Sequence, residues 1–534
     1  MIRFFQSITV LALALAAGGA AAEPPRMALG AGPRTGDVYV VEVPVSSADA
    51  AAELARREFN IASIRENRAE IYAVREELEL LDALGYSWHV IRRDGDGTKA
   101  LGEYNGYASV TAMLAAYAQA YPAITRLESV GQSVEGRELW VLYISDNPGI
   151  EEDEPEFKYI GTIHGDEPLG TEMCLHFIDL LLTGYGQIPR ITDLVDNTSI
   201  AILPLLNPDG REAGTRMNAN GVDLNRAFPR YPFDYTGNQG DGEPLQAAGR
   251  QPEVVRVMEW TAANRFVLSA NFHTGALLVN YPYDEDGVPS GADAPTPDDA
   301  LFQELARRYA RENLPMWNSP YFADGISNGS AWYSIFGSMQ DWNYRYMACN
   351  EVTIELSNTK WPPAGALPAF WDDNREAMLR YLEAVHLGVR GLVTDALTGQ
   401  PLDARVTVQG NAQPVFTDPD VGDYHRTLLP GVYTITIRAN GYYPQTFINL
   451  IVTSGPATRI DAALIPLDAP FDADVNNDGE VNAIDVQLVI NAALGLSVPA
   501  GADINADGAV DAIDIQLVIN AALTRSYAPA TAQE

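Results

Sequence analysis

Between residues 103 and 388 the chain alternates apolar, β-branched runs with helical segments, and this alternation limits its fold more than any other feature. The strand-like runs are 157–162, 200–206, 266–272 and 352–356, and helical stretches such as 110–121, 170–182, 253–264, 300–312 and 371–387 alternate with them. Such alternation predicts an α/β domain around a mixed, largely parallel central sheet. His164, Asn207 and His273 each follow the end of a predicted strand. Open α/β sheets gather their ligands at those ends.

A chain of 534 residues is too long for one core, so further domains are expected. Arg3, the apolar stretch 8–17 and Ala20, Ala21 and Ala22 read as a signal peptide over residues 1–22. Its core is too short to span a bilayer, and no later segment reaches about 18 apolar residues. An exported, soluble protein, secreted or periplasmic, is the expectation. Residues 36–93 show the order βαββαβ of a ferredoxin-like unit, followed by the linker Asp94-Gly95-Asp96-Gly97. Residues 389–466 carry short alternating strands punctuated by Gly, Pro and Asn, which predicts a small β-sandwich.

The net charge of −36 argues against nucleic acid and anionic membranes as partners. It suits calcium, cationic peptides or a salty habitat, and equally plain solubility. Cys174 and Cys349 are the only cysteines, so this is no disulfide scaffold, and the sequence leaves their pairing open.

The stretch His164-Gly165-Asp166-Glu167, with His273 far downstream, offers two imidazoles and a carboxylate in a chain of six His. Zinc in hydrolytic sites accepts that set and keeps one position open for water, which it makes nucleophilic near neutral pH. A bare His-x-x-Glu is common on helix faces and in loops; here it follows a strand and precedes a helix.

The residues around it resemble the zinc carboxypeptidases of the carboxypeptidase A/B type, closest to the branch with carboxypeptidases N, E, D and M. The matching stretches are His164 to Gly170, Asn207-Pro-Asp-Gly210, Arg216 to Arg226, His273-Thr-Gly, Asn280-Tyr-Pro-Tyr-Asp284, Asn328 to Ser334, Met339 to Tyr344 and Thr353-Ile-Glu-Leu-Ser357. They stand in the family's order across a catalytic unit at 103–388. The resemblance implies one zinc ion on His164, Glu167 and His273, with Glu355 as general base and Asp223 orienting a ligand His. It implies that Arg216 polarises the scissile carbonyl, that Asn225 and Arg226 bind the substrate's terminal carboxylate, and that Tyr333 closes over the terminal residue. Asp284, with Gln340 beside it, would face that residue's side chain and favour Lys or Arg. Read singly, Glu355 is also a strand residue paired with a cation, each Arg a surface cation, Tyr333 a core aromatic and Asp284 the start of a turn. Thr274 stands where Gly is more usual. The 36–93 unit has the pattern of prosegments from the pancreatic-type branch, which the N/E-like branch usually lacks. The 389–466 segment resembles the transthyretin-like domain of the N/E-like branch.

Residues 472–524 hold an internal repeat. Asp474 to Asp485 returns 29 residues later as Asp503 to Asp514, each copy leading into an apolar helix. The first loop offers Asp474, Asn476, Asp478, Glu480, Asn482 and Asp485, the second Asp503, Asn505, Asp507, Ala509, Asp511 and Asp514, with Gly at position 6. This is EF-hand-like calcium spacing with Asp instead of Glu at position 12. Paired loops of this kind, each with one helix, resemble a dockerin, which implies two structural calcium ions and a cohesin-like partner. Two rival readings are a related zinc hydrolase acting on cell-wall peptides or acyl amino acids, and a non-catalytic protein attached through its calcium-dependent tail.

Overall fold

The computed structural model describes residues 34, 36–95, 104–234, 244–467, 472–498, 501–504 and 509–525. The expected signal peptide lies outside them, as do Asn505 and Asp507 of the second calcium loop.

The first unit is built from strands β1 (Tyr39–Pro44), β2 (Asn60–Arg65), β3 (Arg68–Ala73) and β4 (His89–Arg93), with helices Ala48–Arg56 and Arg75–Ala83. Its sheet order is β2-β3-β1-β4, with antiparallel neighbours throughout, as a βαββαβ sandwich requires. Ser47 caps the first helix by accepting from the Ala50 N–H at 3.2 Å.

The central sheet has eight strands: β5 (Thr125–Gln132), β6 (Glu138–Ile144), β7 (Glu156–Gly161), β8 (Ser199–Leu203), β9 (Phe266–His273), β10 (Leu277–Tyr281), β11 (Ile326–Asn328) and β12 (Asn350–Leu356). Their order is β11-β10-β12-β9-β7-β8-β6-β5. The inner pairs β12·β9, β9·β7 and β7·β8 and the edge pair β10·β11 are parallel, whereas β10·β12, β5·β6 and β6·β8 are antiparallel. The sheet is therefore mixed, with a parallel centre. Every residue of β7, β9 and β12 is buried, because helices cover both faces. Helices Leu169–Gly184 and Leu367–Leu382 contribute to the core on one face, and helix Pro252–Ala262 to the core on the other.

Beyond the sheet, strands β13 (Val389–Asp395), β14 (Ala404–Val408), β15 (Val415–Phe416), β16 (Asp423–Arg426), β17 (Gly431–Ala439), β18 (Gln445–Val452), β19 (Thr458–Arg459) and β20 (Ala462–Leu464) form two small sheets around one apolar core. Helices Ala483–Ala493 and Ala512–Arg525 pack together on Tyr443 and Ile465 of this sandwich. Cys174 and Cys349 are both buried and unbridged. They sit in the cores on opposite faces of the central sheet.

Candidate active site

The parallel centre of the sheet places the chemistry. His164 follows the C-terminal end of β7, and His273 is the last residue of β9. Glu355 lies on β12, directly opposite His273 in the β9·β12 register. Glu167 sits one turn beyond His164, ahead of helix Leu169–Gly184. Gly165 makes this turn possible. A Cβ there would stand 2.0 Å from the backbone carbon of Gly210, so only glycine lets the two loops meet. The facing loop is fixed by Asn207, whose side chain accepts from Gly210 N–H at 2.9 Å and caps the short helix Pro208–Ala213.

His164, Glu167 and His273 are buried, and one donor atom from each lies within 4.8 Å of the others. Both Nδ1 atoms face Glu167, at 3.1 Å for His164 and 2.9 Å for His273. On its far side His164 Nε2 meets Asp223 Oδ1 at 2.9 Å. With Nε2 donating to Asp223, Nδ1 keeps a lone pair, which also meets the donor Arg216 Nη1 at 3.0 Å. Asp223 also takes Arg216 Nε at 2.9 Å and caps the turn carrying Asn225 and Arg226 by accepting from Asn225 N–H at 2.9 Å. Two imidazole nitrogens and one carboxylate, with a carboxylate behind one ring, form a donor set that fits zinc.

Burial works against the charge on Glu167, but Lys360, His164 and His273 hold its pKa well below the usual carboxylate range. Lys360 Nζ lies 2.6 Å from Glu167 Oε1, and Arg216 Nη1 lies 3.0 Å from the same oxygen. Asp223 is likewise held low against burial, by Arg216, His164 and Arg226. Glu355 differs. Burial pushes its pKa up to about 7, and its Oε2 has no hydrogen-bond partner among the described residues. A carboxylate poised near neutrality suits proton transfer in both directions.

His164, Glu167, Arg216, Arg226, His273 and Glu355 line one cavity, together with Asn225, Tyr333 and Asp284. Asp284 is 2% exposed, and its Oδ1 is unpartnered among the described residues. Burial raises its pKa to about 6, opposed by Ser338 and Gln340. Gly329 packs over this carboxylate where a Cβ would come within 2.0 Å of Oδ1. Gln340 is buried nearby and donates to Asn280 Oδ1 at 3.1 Å; it does not line the cavity.

The cavity is small, with a volume of about 20 Å³. That is room for about one water. The first unit closes it. Arg226 Nη2 donates to the Ile61 carbonyl at 2.9 Å, and Tyr333 Oη to the Ala62 carbonyl at 3.1 Å. Asn60 Nδ2 reaches Asp223 Oδ2 at 3.0 Å, and Arg92 Nη2 reaches Asp166 Oδ2 at 3.0 Å, where Tyr72 also donates. Trp332 and Tyr333 complete the apolar core of that unit.

The sequence of the zinc carboxypeptidase family matches residues 110–377, half of the chain. This protein belongs to the zinc carboxypeptidase family. A carboxypeptidase regulatory-like domain matches residues 388–465 and a dockerin type I domain residues 472–523. The chain is 43% identical to human carboxypeptidase D over 382 residues, which cover 68% of this chain and 27% of that protein. It thus spans about a quarter of the length of the carboxypeptidase D it matches. It is 44% identical to the human carboxypeptidase N catalytic chain over 63% of this chain and 80% of that protein. The structure resembles carboxypeptidase A from Helicoverpa armigera at TM-score 0.51 and 18% identity, over 67% of this chain and 98% of that one, which speaks to the fold. The chain thus joins a zinc carboxypeptidase domain to a regulatory-like domain and a dockerin type I domain.

Lys360 was not among the residues picked out from the sequence. It is one of three lysines in the chain and lies five residues beyond Glu355, just past the end of β12. That rarity and position were the available signal. In the C-terminal module, Asp485 is fully buried and accepts from Asn476 N–H at 3.2 Å and Asn482 N–H at 2.9 Å. Asp474 accepts from the N–H groups of Asp478 and Gly479 at 3.0 and 2.7 Å. In the second copy Asp514 is fully buried and accepts from Asp511 N–H at 2.9 Å. Among the described residues no helix is long and apolar enough to cross a membrane.

Proposed function

We propose that this carboxypeptidase removes C-terminal Lys and Arg from peptides, and that its first unit holds the site shut until displaced. The observation that carries the specificity is the buried Asp284 carboxylate, which lines the cavity with one oxygen unpartnered. A buried carboxylate with one oxygen left free welcomes a cation and penalises an apolar side chain. The relatives named carboxypeptidase D and carboxypeptidase N are consistent with this reading.

In this reading His164, Glu167 and His273 hold one zinc ion, which when bound supplies Lewis-acid chemistry and a water of lowered pKa. Asn225 and Arg226 bind the substrate's terminal carboxylate, Arg226 through its planar guanidinium. Tyr333 covers the terminal residue, and Asp284, held from behind by Gln340, recognises its side chain. Glu355 takes the proton of the attacking water and returns it to the departing amine. Arg216, braced by Asp223, donates to the carbonyl oxygen as negative charge builds there.

Peptides ending in Arg, Lys, Phe and Asp, incubated with the zinc-loaded enzyme freed of its first unit and followed by mass, test this assignment. Release of Arg and Lys is expected; release of Phe without Arg sinks it. Asp284→Ala is expected to lower kcat/KM on Arg-ended peptides by about 10²-fold, the cost of stripping a buried charge of its partner. An unchanged preference would remove Asp284 from the account.

The proposed divisions run 1–22 for a signal peptide directing export, 36–93 for the closing unit, 103–388 for catalysis, 389–466 for the sandwich and 472–524 for the dockerin. Two calcium ions fold the last, one per loop, through Asp474, Asn476, Asp478, Glu480, Asn482 and Asp485 and their counterparts Asp503, Asn505, Asp507, Ala509, Asp511 and Asp514. A cohesin-like protein is its proposed partner. EGTA is expected to open 472–524 to limited proteolysis while the catalytic unit resists. A cleavage pattern indifferent to EGTA contradicts the structural role of calcium.

A further inference from the structure

A second cluster of metal-capable side chains lies at the opposite end of the central sheet. One donor atom each of Asp153, Asp423 and His425 lies within 4.8 Å of the other two. Asp423 and His425 stand on β16 of the sandwich, and Asp153 just precedes β7 of the catalytic unit. Between the two units is a cavity of about 30 Å³, lined by Glu151, Glu154, Glu156, Asp423 and His425 among others. It is large enough for an ion with a water.

Acidic clusters are common on a chain this negative, so the cluster alone means little. Glu156 is the second observation. It opens β7, is 7% exposed, lines the cavity, and its Oε2 has no hydrogen-bond partner among the described residues. The Arg265 backbone N–H is a partner of the same carboxylate but leaves Oε2 unpaired. A buried carboxylate oxygen without a donor is costly unless something cationic meets it.

The nearby cations are otherwise engaged or too few. Arg459 pairs with Asp153 at 2.6 Å, Arg390 stands 3.7 Å from it, and His425 Nε2 contacts Asp423 at 2.9 Å. Arg265 also lines the cavity. Against these stand Glu151, Glu154, Glu156, Asp418 and Asp423. Burial, and then neighbouring carboxylates including Glu152 and Asp423, push Glu154 up to about 8, and burial with Glu151, Asp418 and Asp423 raises Glu156 as well. Carboxyls crowded in this way must either bind protons or share a cation.

We propose that a divalent cation binds where Asp153, Asp423 and His425 converge, with the unpaired oxygen of Glu156 facing it from the cavity wall, and ties the β-sandwich to the start of β7. The oxygen-rich donors suit calcium, and His425 admits zinc as the other candidate. The site lies roughly 20 Å from His164, one strand length away. Its role is to hold two units together, and it stands outside the chemistry of peptide hydrolysis.

The test counts bound ions per full-length chain by equilibrium dialysis, against calcium and separately against zinc. Wild type is compared with Glu156→Gln and Asp423→Asn. The readout is the difference from wild type, so ions in the C-terminal loops and at His164 cancel. Loss of one equivalent of one of the two ions in the variants, with kcat/KM of the full-length enzyme unchanged, is expected and identifies the metal. Should Glu156→Gln not fold, Asp423→Asn carries the comparison. Equal counts in wild type and variant for both metals overturn the proposal, and leave shared protons as the means of neutralising these carboxyls.

Discussion

Glu355→Gln is expected to lower kcat by about 10² to 10⁴-fold on an Arg-ended peptide, with KM nearly unchanged and full zinc content. The amide keeps the shape of the side chain but cannot accept the proton of the attacking water. The position leaves no obvious substitute. Glu355 stands beside His273 in the strand register, and its neighbour carboxylates are committed, Glu167 to His164, His273 and Lys360, and Asp223 to His164 and Arg216. The measurement is steady-state kinetics with metal analysis on the same sample. A loss of less than tenfold, or one confined to KM, removes Glu355 as the base.

Separating the first unit is expected to raise kcat/KM by about 10²-fold, if opening the intact chain costs about 3 kcal/mol. The donors proposed to hold a substrate's terminus are taken by the unit's own backbone: Arg226 by the Ile61 carbonyl and Tyr333 by the Ala62 carbonyl. A peptide cannot enter a cavity of about 20 Å³. A protease site placed within residues 96–103, cut and followed by separation of the fragments, makes the comparison. Substituting Arg92 with Ala and Tyr72 with Phe, which breaks the anchors on Asp166, should move the intact chain part of the way. An intact chain as active as the separated enzyme refutes the closing role.

Much of this was legible in the residues. The buried parallel centre is legible because its strands are rich in apolar residues, with Lys158, Ser269, Asn271 and Thr353 among the interruptions, as strands covered on both faces tend to be. The edge strands were harder. β5 is mostly half-exposed, so it lacks such a run and passed unnoticed with its antiparallel partner β6. The segments of the site were found through a family resemblance that named His164, Glu167, His273 and Glu355, and the fold brings these four to one cavity. The closure of that cavity was not legible, because it depends on carbonyl groups of β2 that any residue could supply. Lys360 was missed for a related reason: its partner Glu167 is 193 residues away, and only the fold brings them together.

The two thiols have a practical consequence. Cys174 and Cys349 lie in separate cores; burial pushes Cys349 up to about 12 and Cys174 higher still. Neither offers a thiolate at neutral pH, and exchange reactions need one. The protein should therefore reach the same fold in a reducing host as in an oxidising one, and reductants such as dithiothreitol should leave its melting temperature where it was.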